Sequence, residues 1–219
     1  MGDRSKFYLP VNWPMVFLIL SLYIMGFLLY PYLPEMMPSH WNVAGQVDGY
    51  TPKNVYLIFL PSLILGIYLL ISFAPALDPR PESYRKFRGV VEGFRIIIVL
   101  VFASIYVATI LFALGIPVSV GKVVRFMLGL MLVFIGNYFG KVRHNYTFGI
   151  KTPWTLASEE VWNKTHRVSG PLWVVAGFVW MISIFMADRP AFIIDMAVLA
   201  AAAIFGFIYS CLLFNKSGK

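Results

Sequence analysis

Charge is what this sequence has least of. Of its 219 residues only 13 % are charged, against about 25 % in a soluble globular domain, while 59 % are hydrophobic and the mean hydropathy is +0.76. A water-soluble domain is excluded. There is one cysteine, Cys211, inside the last apolar run, so no intrachain disulfide and no cysteine metal cluster can form. Its thiol reads as a small buried apolar group, and the redox compartment stays undecided. A His-Glu-x-x-His motif, a nucleophile elbow and a Gly-rich phosphate loop are all missing, which removes the better-defined catalytic templates. No alternating pattern of barrel strands competes with helices. Repeats are missing too, apart from the Ala200 to Ala203 run, which reads as packing.

What is present is long apolar runs, at 14–33, 55–75, 95–115, 123–140, 171–187 and 191–214. A spanning helix needs about 20 residues, and lipid cannot hydrogen-bond an exposed backbone, so each run is predicted to be a helix. The run 171–187 is short and needs flanking residues. The first run is long and lacks a small-residue cleavage motif, so it reads as a retained helix rather than a signal peptide. The fold class is therefore an all-α integral membrane protein, a six-transmembrane-helix bundle crossing the cell membrane.

The net charge of +8 is unevenly placed. With the N-terminus inside, Arg4, Lys6, Arg80, Arg85, Lys86, Arg88, Arg95, Lys141, Arg143, Lys151, Lys164, Arg167, Lys216 and Lys219 fall on the cytoplasmic side. Only Lys53, Lys122, Arg125 and Arg189 fall outside. This positive-inside bias puts the N- and C-termini in the cytoplasm. Insertion and anionic membrane lipid explain the basic charge, and no direct nucleic-acid contact is implied.

The organisation is one membrane domain in three stretches: residues 1–75, a two-span unit with an outer loop 34–53; 76–94, a cytoplasmic basic linker; and 95–219, a four-span unit with a cytoplasmic segment 141–170. Tyr8, Trp13, Tyr30 and Tyr32 suit the membrane interface. In the outer loop, Pro34, Pro38, Gly45 and Gly49 predict a compact, turn-rich fold with Asp48-Gly49 as a tight turn. His40, Asn42 and Asp48 can converge there on a ligand or cation, or simply satisfy the loop's own backbone; one His with one carboxylate is a weak metal pattern. In the linker, Tyr84-Arg85-Lys86-Phe87-Arg88 suits a segment lying at the headgroups. Gly129 and Gly136 permit close helix contact in lipid.

The polar stretch 137–170 is the densest cluster of chemistry. Thr152-Pro153-Trp154-Thr155 predicts a helix start, capped by Thr155 or Ser158, with Glu159 and Glu160 in the first turn. A helix over about 156–168 puts Glu159, Asn163 and His166 on one face, makes Trp162 and His166 neighbours, and pairs Glu160 with Lys164. Three readings stay open. Glu159 and His166 could do acid–base work or, with His144, bind a metal. Arg143, Arg167, Trp154 and Trp162 could anchor a peptide or protein partner. Or the segment is structural, its Arg groups capping carbonyls. Glu92 and Asp195 fall near span ends, where they can face water or a partner.

The run Gly136-Asn137-Tyr138, Val142-Arg143, Asn145-Tyr146, Gly149-Ile150, Thr152-Pro153-Trp154-Thr155-Leu156, Val161-Trp162, Thr165-His166-Arg167 and Gly170 resembles the SdpI family of bacterial immunity proteins. The loop Pro38, His40-Trp41-Asn42, Gly45, Asp48 and Lys53 is similar to the small domain of unknown function that often accompanies it. The resemblance implies six spanning helices and resistance to a secreted toxic peptide. It also implies signalling, in which the membrane protein holds a transcriptional repressor at the cytoplasmic face. No cofactor, catalytic residue or metal ligand is implied. The expected ligand- or partner-binding residues are Asn137, Tyr138, Arg143, Asn145, Tyr146, Thr152, Trp154, Glu159, Trp162, His166 and Arg167 inside, and His40, Asn42 and Asp48 outside. The alternative is a membrane enzyme or transporter using Glu159, His166, Arg143 and Asn137 in a polar cavity open to the cytoplasm, with a possible metal.

Overall fold

The computed structural model describes residues 9–216. Tyr8, Arg4, Lys6 and Lys219, to which the sequence assigns interfacial or inner positions, lie outside the described residues. Among the described residues six helical stretches are long and apolar enough to cross a membrane: Trp13–Tyr32, Lys53–Leu77, Arg88–Ala113, Val120–Lys141, Glu159–Phe185 and Asp188–Lys216. Their long helices are α1 (Trp13–Leu29), α2 (Lys53–Leu77), α4 (Arg88–Ala113), α5 (Val120–Tyr138), α7 (Glu159–Ile182) and α8 (Asp188–Lys216); α3 (Pro81–Tyr84) and α6 (Pro153–Ala157) are short connectors. The chain is a multi-pass membrane protein. Phe17, Phe27, Ile58, Phe73, Phe178, Ile193 and Phe207 are exposed on the outer faces of these helices, as lipid-facing side chains should be, since lipid is as apolar as they are.

Local chemistry sets the helix starts. Asn12 caps α1 through its side-chain oxygen, with Pro14 in the first turn; Ser119 caps α5 and Ser158 caps α7. Two boundaries differ from the sequence reading. Helix α4 begins at Arg88 rather than at 95, because Arg95 has partners inside the bundle: its guanidinium donates to Ser72 Oγ at 2.7 Å and the Pro10 carbonyl at 2.9 Å, pairs with Glu92, and lies 4.7 Å from the Tyr68 ring centre. Helix α7 does not stop near 168 but runs on through Pro171, so the expected short inner helix and the short fifth span are one element. Proline within a spanning helix is tolerated where neighbouring groups re-satisfy the backbone.

The loop after α1 is more regular than a turn-rich coil. It is an antiparallel hairpin, β1 (Met36–Trp41) and β2 (Val47–Pro52), pairing Met37 with Thr51 and His40 with Gly49. The turn is not at Asp48-Gly49. It spans 42–46, where Asn42 exchanges backbone bonds with Gly45 and Gln46 and Gly45 takes φ +74. Met37 is fully buried among Leu22, Leu33, Tyr56 and Tyr106, which anchors the hairpin on α1, α2 and α4. In the linker the rings of Tyr84 and Phe87 turn inward while Arg85, Lys86 and Arg88 stay exposed. The aromatic–basic alternation therefore marks rings buried where α3 leads into α4, not rings lying among headgroups.

Helices α5 and α7 pack backbone to backbone. A Cβ on Gly136 would sit 2.5 Å from the Gly170 carbonyl, and one on Gly177 2.5 Å from the Gly129 carbonyl. Gly129 and Gly136 thus form one side of a seam whose other side is Gly170 and Gly177. Van der Waals packing of this kind is what holds helices together where no hydrophobic force acts between them.

Candidate functional site

Alternating spans put the hairpin, the 114–119 turn and the α7–α8 turn at one end of the bundle; the 78–87 linker and the 139–158 segment share the other. At that second end, residues 142–158 fold into a strap across the tips of α2, α7 and α8. Asp78, which ends α2, organises it. One carboxylate oxygen accepts from Tyr84 Oη (2.7 Å), the Tyr146 amide (2.9 Å) and Thr147 Oγ1 (2.9 Å), and the other accepts from the Arg80 amide (2.8 Å). Burial alone would raise its pKa, but these donors outweigh it and hold the carboxyl below its ordinary range.

Asn145, fully buried, ties the turn internally. Its oxygen accepts from the Thr147 and Phe148 amides (2.8 and 2.7 Å), and its NH2 donates to the Arg143 and Phe148 carbonyls (2.7 and 3.0 Å). Thr152 and Thr155 form a reciprocal capping box for α6, and the Thr152 hydroxyl reaches Ser210 on α8 at 3.0 Å. His166 Nδ1 donates to the Trp162 carbonyl and Nε2 accepts from the Ile150 amide, both at 2.8 Å. Those partners fix a neutral Nδ1-protonated imidazole. Trp162, with no exposed surface, donates to the Val142 carbonyl at 2.9 Å and stands between His144 and His166, ring centres at 5.1 and 4.2 Å. Gly149, at φ +117, lies against His166 with no room for a side chain.

The expected inner residues therefore divide. Asn145, Thr152, Trp162 and His166 are buried and hydrogen-bonded within the strap, so they shape it. Asn137, Arg143, Tyr146, Glu159 and Arg167 are exposed, and Tyr138 and Trp154 are half-buried. Trp154 meets Phe207 edge-on at 5.1 Å, and Lys164 pairs with Glu160 at 2.9 Å. Glu159, Asn163 and His166 do fall on one face of α7, but the imidazole is buried while the other two are exposed, so they do not form a joint polar surface. Among the described residues no group of three His, Cys, Asp or Glu side chains is placed to hold a metal ion. Arg80 Nη1 donates to His144 Nδ1 at 2.7 Å, which leaves that nitrogen unprotonated; burial and the neighbouring Arg80 charge both push the His144 pKa down. A cavity of about 530 Å³ lies beside the strap, lined by apolar residues including Leu70, Phe94, Phe134, Tyr138, Phe148 and Trp173. Glu159, His166, Arg143 and Asn137 do not line it, so the polar inner cavity of the alternative reading is not assembled there.

At the opposite end, His40 Nδ1 and Asp48 Oδ1 are 2.5 Å apart on the exposed strands. Asn42 does not join them; its side-chain oxygen accepts from the Ala44 and Gln46 amides and holds the turn. Beneath the turn, Arg125 Nη2 donates to Asp188 Oδ1 at 2.7 Å, and Asp195 is buried against Trp180 and Ser183. The sequence reading passed over this group as a set because Arg125, Asp188 and Asp195 share no local motif. The available signal was an ionisable side chain inside an apolar run, which is costly at membrane depth.

Comparison with known proteins agrees with this architecture. Residues 141–210, the strap with α6, α7 and most of α8, match the SdpI/YfhL protein family, and residues 16–65, α1 through the hairpin into α2, match a domain of unknown function (DUF1648). The chain is also 25 % identical over 190 residues to the immunity protein SdpI of Bacillus subtilis (strain 168), covering 86 % of this chain and 89 % of that protein. The likeness to the SdpI/YfhL family thus covers the strap and the last two spans. No solved structure matches the chain. The SdpI match begins with the strap, whose polar residues brace the ends of α2, α7 and α8.

Proposed function

We propose that this protein protects its own cell against a toxic peptide that acts at the membrane. The observation that carries the reading is similarity along nearly the full length of an immunity protein, with both matched regions in the same chain. The charge asymmetry supports termini and strap in the cytoplasm and the hairpin outside. In that orientation the hairpin end, with His40, Asn42 and Asp48, meets a secreted peptide. The exposed inner row Asn137, Arg143, Tyr146, Glu159 and Arg167 is the surface available to a transcriptional repressor. The two-span unit 1–75 carries the outer surface, the 76–94 linker joins it to the four-span unit 95–219, and basic groups on the linker sit against anionic lipid.

A peptide bound outside can change the inner surface only if it favours one arrangement of the bundle over another. The hairpin bears on both halves, resting on α1, α2 and α4 through Met37 and touching Asp188 of α8 through Gly45. The test is survival. Toxin-sensitive cells expressing the chain should grow at peptide concentrations that kill control cells. Unchanged killing by every peptide in a panel of membrane-active bacterial toxins would reject the reading.

A further inference from the structure

Under the hairpin turn lies a second cavity of about 460 Å³, roofed by His40, Trp41, Asn42 and Gly45 and walled by α5, α7 and α8. Its polar lining is unusual for its depth. Asp195 stands two turns into α8, about 10 Å below the helix start, and is 1 % exposed. Its Oδ2 accepts from Ser183 Oγ at 2.9 Å and its backbone carbonyl accepts from Trp180 Nε1 at 2.9 Å, but its Oδ1 is buried without a partner. Arg125 lines the same cavity. Its Nη2 is engaged by Asp188, while its Nε–H is buried without a partner. A buried acceptor and a buried donor left open in one cavity are expensive unless something fills both. The remaining wall is apolar, from Ile105, Val120, Val124, Leu128 and Phe192.

We propose that this cavity captures the free N-terminus of a peptide whose first residue is apolar. The α-ammonium group donates to Asp195 Oδ1, the carbonyl oxygen of the same residue accepts from Arg125 Nε–H, and the first side chain enters the apolar wall. One residue supplying both a cationic donor and a neutral acceptor matches the chemistry of the two open positions, whereas a metal ion or a simple anion would satisfy only one. Clefts of this size take ligands of a few residues, and capture of a terminal amine is a known mode of peptide recognition. Asp188 supports the site by holding the Arg125 guanidinium, and Gly45, with no room for a Cβ beside the Asp188 carboxylate, closes the roof. The inference rests on the immunity reading for taking a secreted peptide as its natural ligand.

The full chain in lipid nanodiscs is titrated with leucyl-leucinamide and with its N-acetylated counterpart, following the fluorescence of the tryptophans, of which Trp41 and Trp180 line the cavity. The free amine should bind, and acetylation, which removes the charge, should weaken binding by about 10- to 100-fold. Asp195→Asn should weaken the free-amine probe to a similar degree while leaving the acetylated probe unchanged. Equal binding of both probes to the unaltered chain, or binding of neither, overturns the proposal without reference to whether any variant folds. The killing assay separates the two readings: protection without amine-dependent binding sinks the site alone, and amine-dependent binding without protection sinks the immunity function alone.

Discussion

Adding one methyl group at Gly136 tests the α5–α7 seam. The new Cβ would lie 2.5 Å from the Gly170 carbonyl oxygen and 2.6 Å from the Val174 amide nitrogen, against an ordinary separation of about 3.5 Å. Both obstacles are backbone, so no side chain can swing away. The two helices must part by about 1 Å. A gap of that size forfeits roughly a quarter to a half of each contact along the interface, and overpacking of this kind costs about 1–3 kcal/mol. Gly66→Ala and Gly89→Ala are the controls, because nothing lies within 4 Å of a Cβ at either position. There the change relieves the helix of a glycine and is worth up to about 0.5–1 kcal/mol in the stabilising direction. Thermal unfolding of purified protein in one detergent reads the difference, at about 2–4 °C per kcal/mol for a chain of this size. Gly136→Ala should melt several degrees below the parent, and Gly66→Ala at or slightly above it. The double change Gly136→Ala with Gly177→Ala should cost less than the two separately, because one displacement opens the shared seam. If Gly136→Ala melts with Gly66→Ala, backbone contact between α5 and α7 is not what holds the four-helix half together.

Other perturbations address the strap. Trp162→Ala should destabilise the protein by about 3–5 kcal/mol as a buried ring is lost, whereas Trp162→Phe should cost about 1 kcal/mol for the bond to Val142; denaturation in mixed micelles distinguishes them. Gly149→Ala should disrupt the Ile150–His166 hydrogen bond, seen as faster amide exchange at Ile150. Acid should weaken the strap in two stages. The depressed pKa of His144 means that the unfolded chain takes up its proton first, so this contribution is complete above the ordinary histidine value of about 6.5 and is lost as pH falls below it. Asp78 is also depressed, and its contribution is present above about 3.9 and lost as pH falls through that value toward its folded pKa. The melting temperature should therefore be flat near neutrality, fall below about pH 6.5 and fall again in strong acid, with the first decline smaller but not abolished in His144→Gln, because protonating the buried His166 would still break its bond from the Ile150 amide.

The spans were legible in the sequence because a helix in lipid must be both long and apolar, and six runs met that test. The polar strap was legible as a cluster but not as an object. Asn145, Trp162 and His166 are residue types that serve equally at a binding surface and in a satisfied interior, and only the fold distinguishes the two by burying all three. The hairpin was hidden by Pro38 and by the Asp48-Gly49 pair, which reads as a turn but stands in a strand where Gly49 faces the His40 Cβ. The cavity beneath the hairpin was least legible, since its charged members come from two separate helices and are united only when α5 and α8 pack there.

The most direct measurement is of sidedness. In a Cys211→Ala background, single cysteines replace His40 on the hairpin and Asn163 on the strap end of α7, both exposed, and intact cells are treated with a membrane-impermeant maleimide. The account predicts that the cysteine at position 40 is labelled in intact cells and the one at 163 only after permeabilisation. Labelling of both from outside, or of 163 alone, would contradict it.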